Sequence, residues 1–338
     1  MTELVIVAAD LYWEHLSSAG APVAPALEQL ARFAQRSPLA HGWRAWLAGR
    51  LGGGELAAAA PATIAAAALP PLQGAQAWLA TPLHLSASLT SVHLTPGGVL
   101  HLNAPTQARL AADFALERGE LGHRLTPLSG GGFLAHGPRI EGITHTTDPA
   151  RGLGASIAGA QPRGPGAAQL QRLSAEIETW LHAHALNAER ARSGERPVSS
   201  LWLWGGGELA LEAGFAPEMP PPPHTLFGDD PYVVGLASLS GARWRAQPPT
   251  LAGVAAGATG SVTAVVVELY REREPALSTP AEALEALDRE FLVPALAALA
   301  RGELSAVTLI ANDRSLRLRH RDRLRLWRRR CTVLEALT

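Results

Sequence analysis

The sequence predicts an α/β fold with a mostly parallel sheet, interrupted by a small α+β insertion. Three observations carry that expectation. Near-continuous apolar runs at 4–9, 262–269 and 306–310 have the character of strands buried on both faces. Segments with helical apolar spacing alternate with them at both ends of the chain. From about Thr81 onward, short strand-like runs and glycine turns replace that alternation.

Residues 4–9 read as a strand that ends at Asp10. Val23, Leu27, Leu30 and Phe33 recur at helical spacing, which predicts a helix beginning near Pro25. Trp43, Trp46 and Leu47 mark a second helix over 39–50. Residues 52–77 are rich in Gly, Ala and Pro, with a weak helix signal at 62–69. Short strands are expected at 83–87, 91–94 and 99–102, with Gly97-Gly98 as a turn. Thr106 is expected to cap a helix running to Glu117. Strands over 121–128 and 132–135 would enclose Gly130-Gly131-Gly132 as a hairpin turn. The insertion is therefore placed at 82–146, and the core at 1–81 with 147–338.

A Gly/Pro-rich stretch over 149–167 precedes an amphipathic helix at 168–186, where Leu170, Leu173, Ile177, Trp180 and Leu181 line one face. A loop then leads to a strand at 200–204, and Gly205-Gly206-Gly207 reads as a tight turn at its end. Residues 220–223 form a polyproline linker and 232–239 a helix. A long helix covers 280–301, with Pro294 inside or kinking it.

Composition excludes several chemistries. All 29 basic residues are arginine, so no Schiff-base, P-loop or serine–lysine chemistry can use a lysine. The single cysteine, Cys331, rules out an internal disulfide framework and any multi-cysteine zinc site. A formal net charge of -1 gives no global pull toward nucleic acid or membrane. The N-terminal residues lack the basic and long apolar regions of a signal peptide, and no 18-residue apolar window occurs. A cytoplasmic protein is expected.

Several segments match one pattern in order. The stretch Leu186-Asn187-Ala188-Glu189-Arg190, then Gly194, Pro197 and residues 200–207, resembles the "PVN-x-E-R … G … PAN … LWGxG" block of archaeal-type cofactor-independent phosphoglycerate mutases. Residues 227–237, 262–268 and 281–288 are similar to segments that follow in that family. Thr147-Asp148-Pro149 sits where the family has "DPH", 4–10 where it has its first strand, and 25–31 where it has "TPNLD-x-LA". The same block, with Trp327-Arg328-Arg329 near the end, also resembles a bacterial family labelled RpfE-type regulatory proteins. The resemblance implies the alkaline phosphatase superfamily fold: a three-layer αβα core with an inserted subdomain.

It also implies phosphoryl transfer through a serine or threonine, activated by two divalent metals held by Asp and His. The chain departs from that requirement. Where the family has "PDEaGHdGD" this sequence has 269–275, with Arg271 and Arg273 and no histidine. Where it has "aDHsTP", Asp313 is kept and Arg314 replaces the histidine. Asp10 stands at the first metal position, and Thr63 is the one hydroxyl in 55–69, the nucleophile region. Arginine cannot ligate a metal, and its charge opposes one. Asp10 and Asp313 are thus vestigial metal positions. Arg271, Arg273 and Arg314 are solvated loop arginines or, in the alternative, an anion-binding set. Asp148 and His320 are further candidates for a reduced site.

Two local features were weighed. His182 and His184 are two apart on a helix and do not share a face. Arg317, Arg319, Arg321, Arg323 and Arg325 alternate with mostly apolar residues, which predicts a strand with one arginine face. An edge strand guarded by charge is the expectation, and a nucleic-acid face is the alternative. The reading is a catalytically silent, mutase-like protein with a binding or regulatory role. Its expected partner is a small anionic metabolite or a protein, with no nucleic acid and no membrane. No cofactor is expected; manganese or zinc enters only if the chain is instead a phosphate-ester enzyme with a reduced site.

Overall fold

In the computed structural model of the chain, the apolar runs from its two ends lie side by side in one sheet. The structure describes residues 2–12, 22–88, 91–209, 224–257, 262–270, 279–324 and 328–337. Two units divide the chain: Met1–Ala58 with Ala216–Thr338, and Ala59–Phe215.

The first unit opens with β1 (Thr2–Ala8), α1 (Pro25–Phe33), β2 (Gln35–Pro38), α2 (Gly42–Gly52) and the short α3 (Gly54–Ala58). The second unit begins with α4 (Pro61–Ala66), β3 (Gln76–Ala87), β4 (Val92–Val99) and α5 (Ala104–Glu117). It continues with β5 (Arg124–Pro127), β6 (Phe133–Gly137), β7 (Ala155–Ser156), α6 (Ala167–Ala183), α7 (Ala185–Arg192) and β8 (Ser200–Glu208). The chain returns to the first unit with β9 (His224–Phe227), α8 (Pro231–Ser240), β10 (Arg243–Arg245), α9 (Leu251–Gly257) and β11 (Val262–Val267). α10 (Pro280–Leu287), α11 (Val293–Ala300), β12 (Leu304–Ala311), β13 (Arg314–Arg319) and α12 (Val333–Leu337) complete it.

The sheet of the first unit has the order β10-β9-β11-β1-β12-β13-β2. Its first five strands are parallel, and β13 runs antiparallel to β12 and β2. Helices cover both faces, which is why β1, β11 and β12 read as mostly apolar runs. Leu4, Ile6 and Ala8 pack with Val265, Val307 and residues of α1, α10 and α11. On the other face Arg50 of α2 reaches Glu3, and Gly228 lies against Val266 and Val233 of α8. The result is a three-layer α/β unit.

Pro25 stands in the first turn of α1, as the sequence suggests, but the cap comes from far along the chain. The Asp288 carboxylate accepts from the amides of Ala26 at 3.2 Å and Leu27 at 2.7 Å. Those amides have no partner inside the helix, and the negative charge suits its N-terminus. Asp288 opens a π turn, Asp288–Leu292, between α10 and α11. The expected helix over 280–301 thus runs without a break from Pro280 to Ala300, with this π turn inside it and Pro294 just after the turn.

The second unit is built on a six-stranded antiparallel sheet, β5-β6-β3-β4-β7, with β8 also on β3. Leu110 and Phe114 of α5 and Leu170, Ile177 and Trp180 of α6 pack against one face. Ala62 and Ala65 of α4 pack against the other with Leu79 and Trp204. The sequence reading placed an insertion at 82–146, whereas this unit runs from Ala59 to Phe215. The reason is pairing: β8 lies along β3 from Gln76 to Leu83, so 200–208 joins the antiparallel sheet.

Gly205-Gly206-Gly207 is not a turn but part of β8. A Cβ on Gly206 would run into the Trp78 indole, and one on Gly207 into Ala60. The glycines let those groups approach the strand. Gly97-Gly98 likewise lies within β4, not in a turn. The arginine alternation near the C-terminus holds as a strand only to Arg319, after which His320–Leu324 is a 3₁₀ turn. Nor is β13 an edge strand: β2 covers its outer side. Among the described residues no helix is long and apolar enough to cross a membrane.

Candidate functional site

Open α/β sheets present ligands outside the carboxyl ends of their parallel strands. In the first unit that edge carries Asp10 after β1, Asp229 after β9, Gln247 after β10, Glu268 after β11 and Asp313 after β12. The strand exits are tied to one another. Gln247 Oε1 accepts from the Glu268 amide at 2.9 Å, and Asp229 Oδ1 accepts from the Gln247 amide at 3.4 Å. Asp10 Oδ2 accepts from the Tyr270 amide at 2.9 Å.

The other oxygen of Asp10, Oδ1, is sealed from solvent and has no hydrogen-bond partner. Burial pushes the carboxyl up to about 7, the Leu269 and Tyr270 amides hold it back, and the nearby Glu268 charge adds to the rise. Burial also pushes the Tyr270 hydroxyl up, helped by the charges of Asp10 and Glu282. Asp10 therefore takes up and releases a proton near neutrality.

Asp313 shares this edge. Asn312 and Asp313 both have positive φ, 48° and 56°, and form the two-residue turn of the β12–β13 hairpin. Such turns require left-handed residues, which Asn and Asp tolerate best. The turn is anchored: the Asn312 amide donates to Leu11 O at 3.3 Å, and the Leu39 amide donates to Asp313 O at 2.7 Å. Asp313 thus has a structural reason to be where it is.

The remaining candidates fall elsewhere. His320 follows β13 at the opposite edge, about 20 Å along the strand from Arg314, and its Nδ1 donates to Leu299 O at 2.9 Å. A cluster of Asp10, Asp313 and His320 does not form, because the hairpin carries the chain away from the carboxyl edge. Arg314 opens β13 beside the turn and is half-buried. Arg271 and Arg273 lie outside the described residues. In the second unit Asp148 caps the turn at 149–152, accepting from the Ala150 amide at 2.9 Å, and Thr63 donates to Glu208 O at 2.6 Å. Both are engaged in holding local structure.

The sequence reading missed a second polar cluster, at the amino edge of the same sheet. Glu3 is buried and accepts from Arg50 Nη2 at 2.9 Å, Arg317 Nη2 at 2.8 Å and Thr308 Oγ1 at 3.1 Å. A lone glutamate inside an apolar strand was the signal, since a buried carboxylate needs a cation. Arg317 spends its charge here, which removes it from any free arginine face.

Among the described residues the donors at the carboxyl edge are carboxylates, Asp10, Asp229, Glu268 and Asp313, without the histidines that the family resemblance implies for a two-metal site. No histidine lies between His224 and His320. Among the described residues no three His, Cys, Asp or Glu side chains are grouped to hold a metal ion. What the edge offers is a buried, proton-binding carboxyl and a set of backbone-tied polar groups.

No family model and no curated protein matches the chain. Among solved structures it is similar to the cofactor-independent phosphoglycerate mutase from Thermoplasma acidophilum DSM 1728. Identity is 15%, the TM-score is 0.37, and 94% of this chain and 89% of that chain are covered. It is also similar to the PH0037 protein from Pyrococcus horikoshii, at 12% identity and a TM-score of 0.45, with 92% and 82% covered.

Proposed function

We propose that this is a phosphoglycerate-mutase-like protein that no longer performs two-metal phosphoryl transfer and acts instead by binding, in a regulatory role. The Asp10 environment carries the reading. A carboxylate that serves a divalent metal must be ionised and open to it. Asp10 has one oxygen on the Tyr270 amide and the other sealed from solvent. The missing histidines and the arginines at 271, 273 and 314 point the same way. A cytoplasmic setting belongs to this reading; the one cysteine, Cys331, is a buried free thiol, as suits a reducing compartment.

The test is elemental analysis of full-length protein purified without chelator, titration with manganese and zinc, and assays of mutase and phosphomonoesterase activity. The expected result is no stoichiometric ion and no turnover. Two tightly held ions per chain together with turnover would overturn the proposal.

One observation favours a second reading. A carboxyl with a pKa near 7 at a strand-end edge is suited to general acid–base work. In that case a reduced phosphate-ester enzyme would lean on Asp10, with Asp313 on the same edge. Turnover without bound metal, following a pH profile that Asp10→Asn abolishes, would decide for it.

A further inference from the structure

A second place in the first unit has the makings of a binding site. A cavity of about 360 Å³ opens between the last turn of α1, β2 and the segment leading into α12. Its lining includes Arg32, Arg36, Arg328, Arg329 and Arg330, against a single acid, Glu335. Five guanidinium groups around one hollow repel each other unless something offsets them.

Part of the offset is neutral. Arg328 Nη1 donates to Ala34 O at 2.8 Å, and Arg32 Nε donates to Arg328 O at 2.9 Å. Arg36 donates to Ala31 O at 3.0 Å and Glu335 O at 2.7 Å. Several of these carbonyls belong to the C-terminal end of α1, which carries partial negative charge. Carbonyl groups fix the guanidinium planes without cancelling their charge. The one acid, Glu335, accepts from Thr332 N at 2.8 Å and Thr332 Oγ1 at 3.1 Å and also feels the Arg36 charge, so a single carboxylate offsets only part of the five positive charges. Among the described residues Arg36, Arg328, Arg329 and Arg330 form no ion pair, and Arg329 and Arg330 are exposed.

We propose that this cavity binds the phosphoryl group of a small phosphorylated metabolite. Guanidinium forks match phosphate oxygens two at a time, and positions fixed in advance reduce the ordering cost of binding. The volume lies at the low end of the roughly 300–1,000 Å³ usual for ligand pockets, which suits a small ester rather than a dinucleotide. The site shares no residue with the carboxyl edge and does not depend on whether that edge turns anything over.

The test is calorimetric titration of the full chain, at low and physiological salt, with glycerol 3-phosphate and with inorganic phosphate. Saturable one-site binding is expected, weakened at least tenfold in the double variant Arg329→Gln/Arg330→Gln. Both arginines are exposed and form no ion pair among the described residues, so that variant should fold normally. Tighter binding of the ester than of phosphate supports a metabolite, and equal binding supports recognition of the phosphoryl group alone. No saturable binding of either, or binding indifferent to the double variant, would overturn the proposal. So would saturation by a single-stranded oligonucleotide that the ester cannot displace.

Discussion

β1 carries an acidic residue at each end, and the fold treats them in opposite ways. Glu3, at the amino edge, meets two guanidinium groups and a hydroxyl. Asp10, at the carboxyl edge, meets backbone amides and a neighbouring acid, with its second oxygen buried. Both are carboxyls taken from water by the same sheet. Of the two, only Glu3 is given cations among the described residues. The carboxyl edge has a part-buried ion pair of its own, Arg44 with Asp230 at 2.6 Å, but it lies after β9 and not at Asp10. The difference teaches that the arginine-rich C-terminal strand serves the sheet: Arg317 reaches back to the first strand of the chain.

The sharpest way to separate the two ends is pH. The folded chain holds a proton at Asp10 that the unfolded chain releases from about pH 4 upward. The contribution of Asp10 to stability is therefore fullest below that value, falls as pH rises toward 7, and levels off above it. At about 1.4 kcal/mol per unit, the drop has a ceiling of roughly 4 kcal/mol. Asp10→Asn should abolish this slope and be more stable than the parent at pH 8 by about 3 kcal/mol, with little difference at pH 4. Urea denaturation at the two pH values reads this directly; equal stabilities at pH 8 would mean that Asp10 is not a strained carboxylate.

Glu3→Gln is the converse. It leaves Arg50 and Arg317 beside a neutral side chain, and the pair is only partly dry: their side chains are 43% and 36% exposed. The cost expected is about 2 kcal/mol, below that for a fully buried pair. A loss of the same size at pH 5 and pH 8 would set it apart from the Asp10 effect. Smallest is Arg50→Gln, because Arg317 and Thr308 still hold Glu3; about 0.5–1 kcal/mol should be lost. If Arg50→Gln cost as much as Glu3→Gln, Arg317 would have no compensating part.

Much of the first unit was legible in the sequence. Strands covered on both faces leave runs such as 262–267, apolar but for Thr263, and Pro25 announces its helix. β2, with the sequence Gln-Arg-Ser-Pro at a sheet edge, carries no such mark. Gly205-Gly206-Gly207 misled because a glycine run signals a turn just as well as a close approach, and only Trp78 decides between them. The candidate site was legible as residue types and not as an arrangement. Asp10 and Asp313 share an edge, but the direction of β13 that removes His320 follows from a hairpin, not from composition. Glu3 and Arg317 meet from 314 residues apart, a distance over which spacing carries no signal.

The position of β1 also has a consequence in time. Its hydrogen-bonded neighbours are β11 and β12, so Glu3 pairs with Val262 on one side and Ala306 on the other. The second unit, by contrast, is one uninterrupted segment. During synthesis at about 5–20 residues per second, some 300 residues must follow before β1 can be enclosed, a wait of roughly 15–60 s. Non-local pairing of this kind is slow to form, and an unpaired apolar strand is prone to aggregate meanwhile. The middle of the chain is thus free to fold first, while β1, made before it, is among the last strands to find its place.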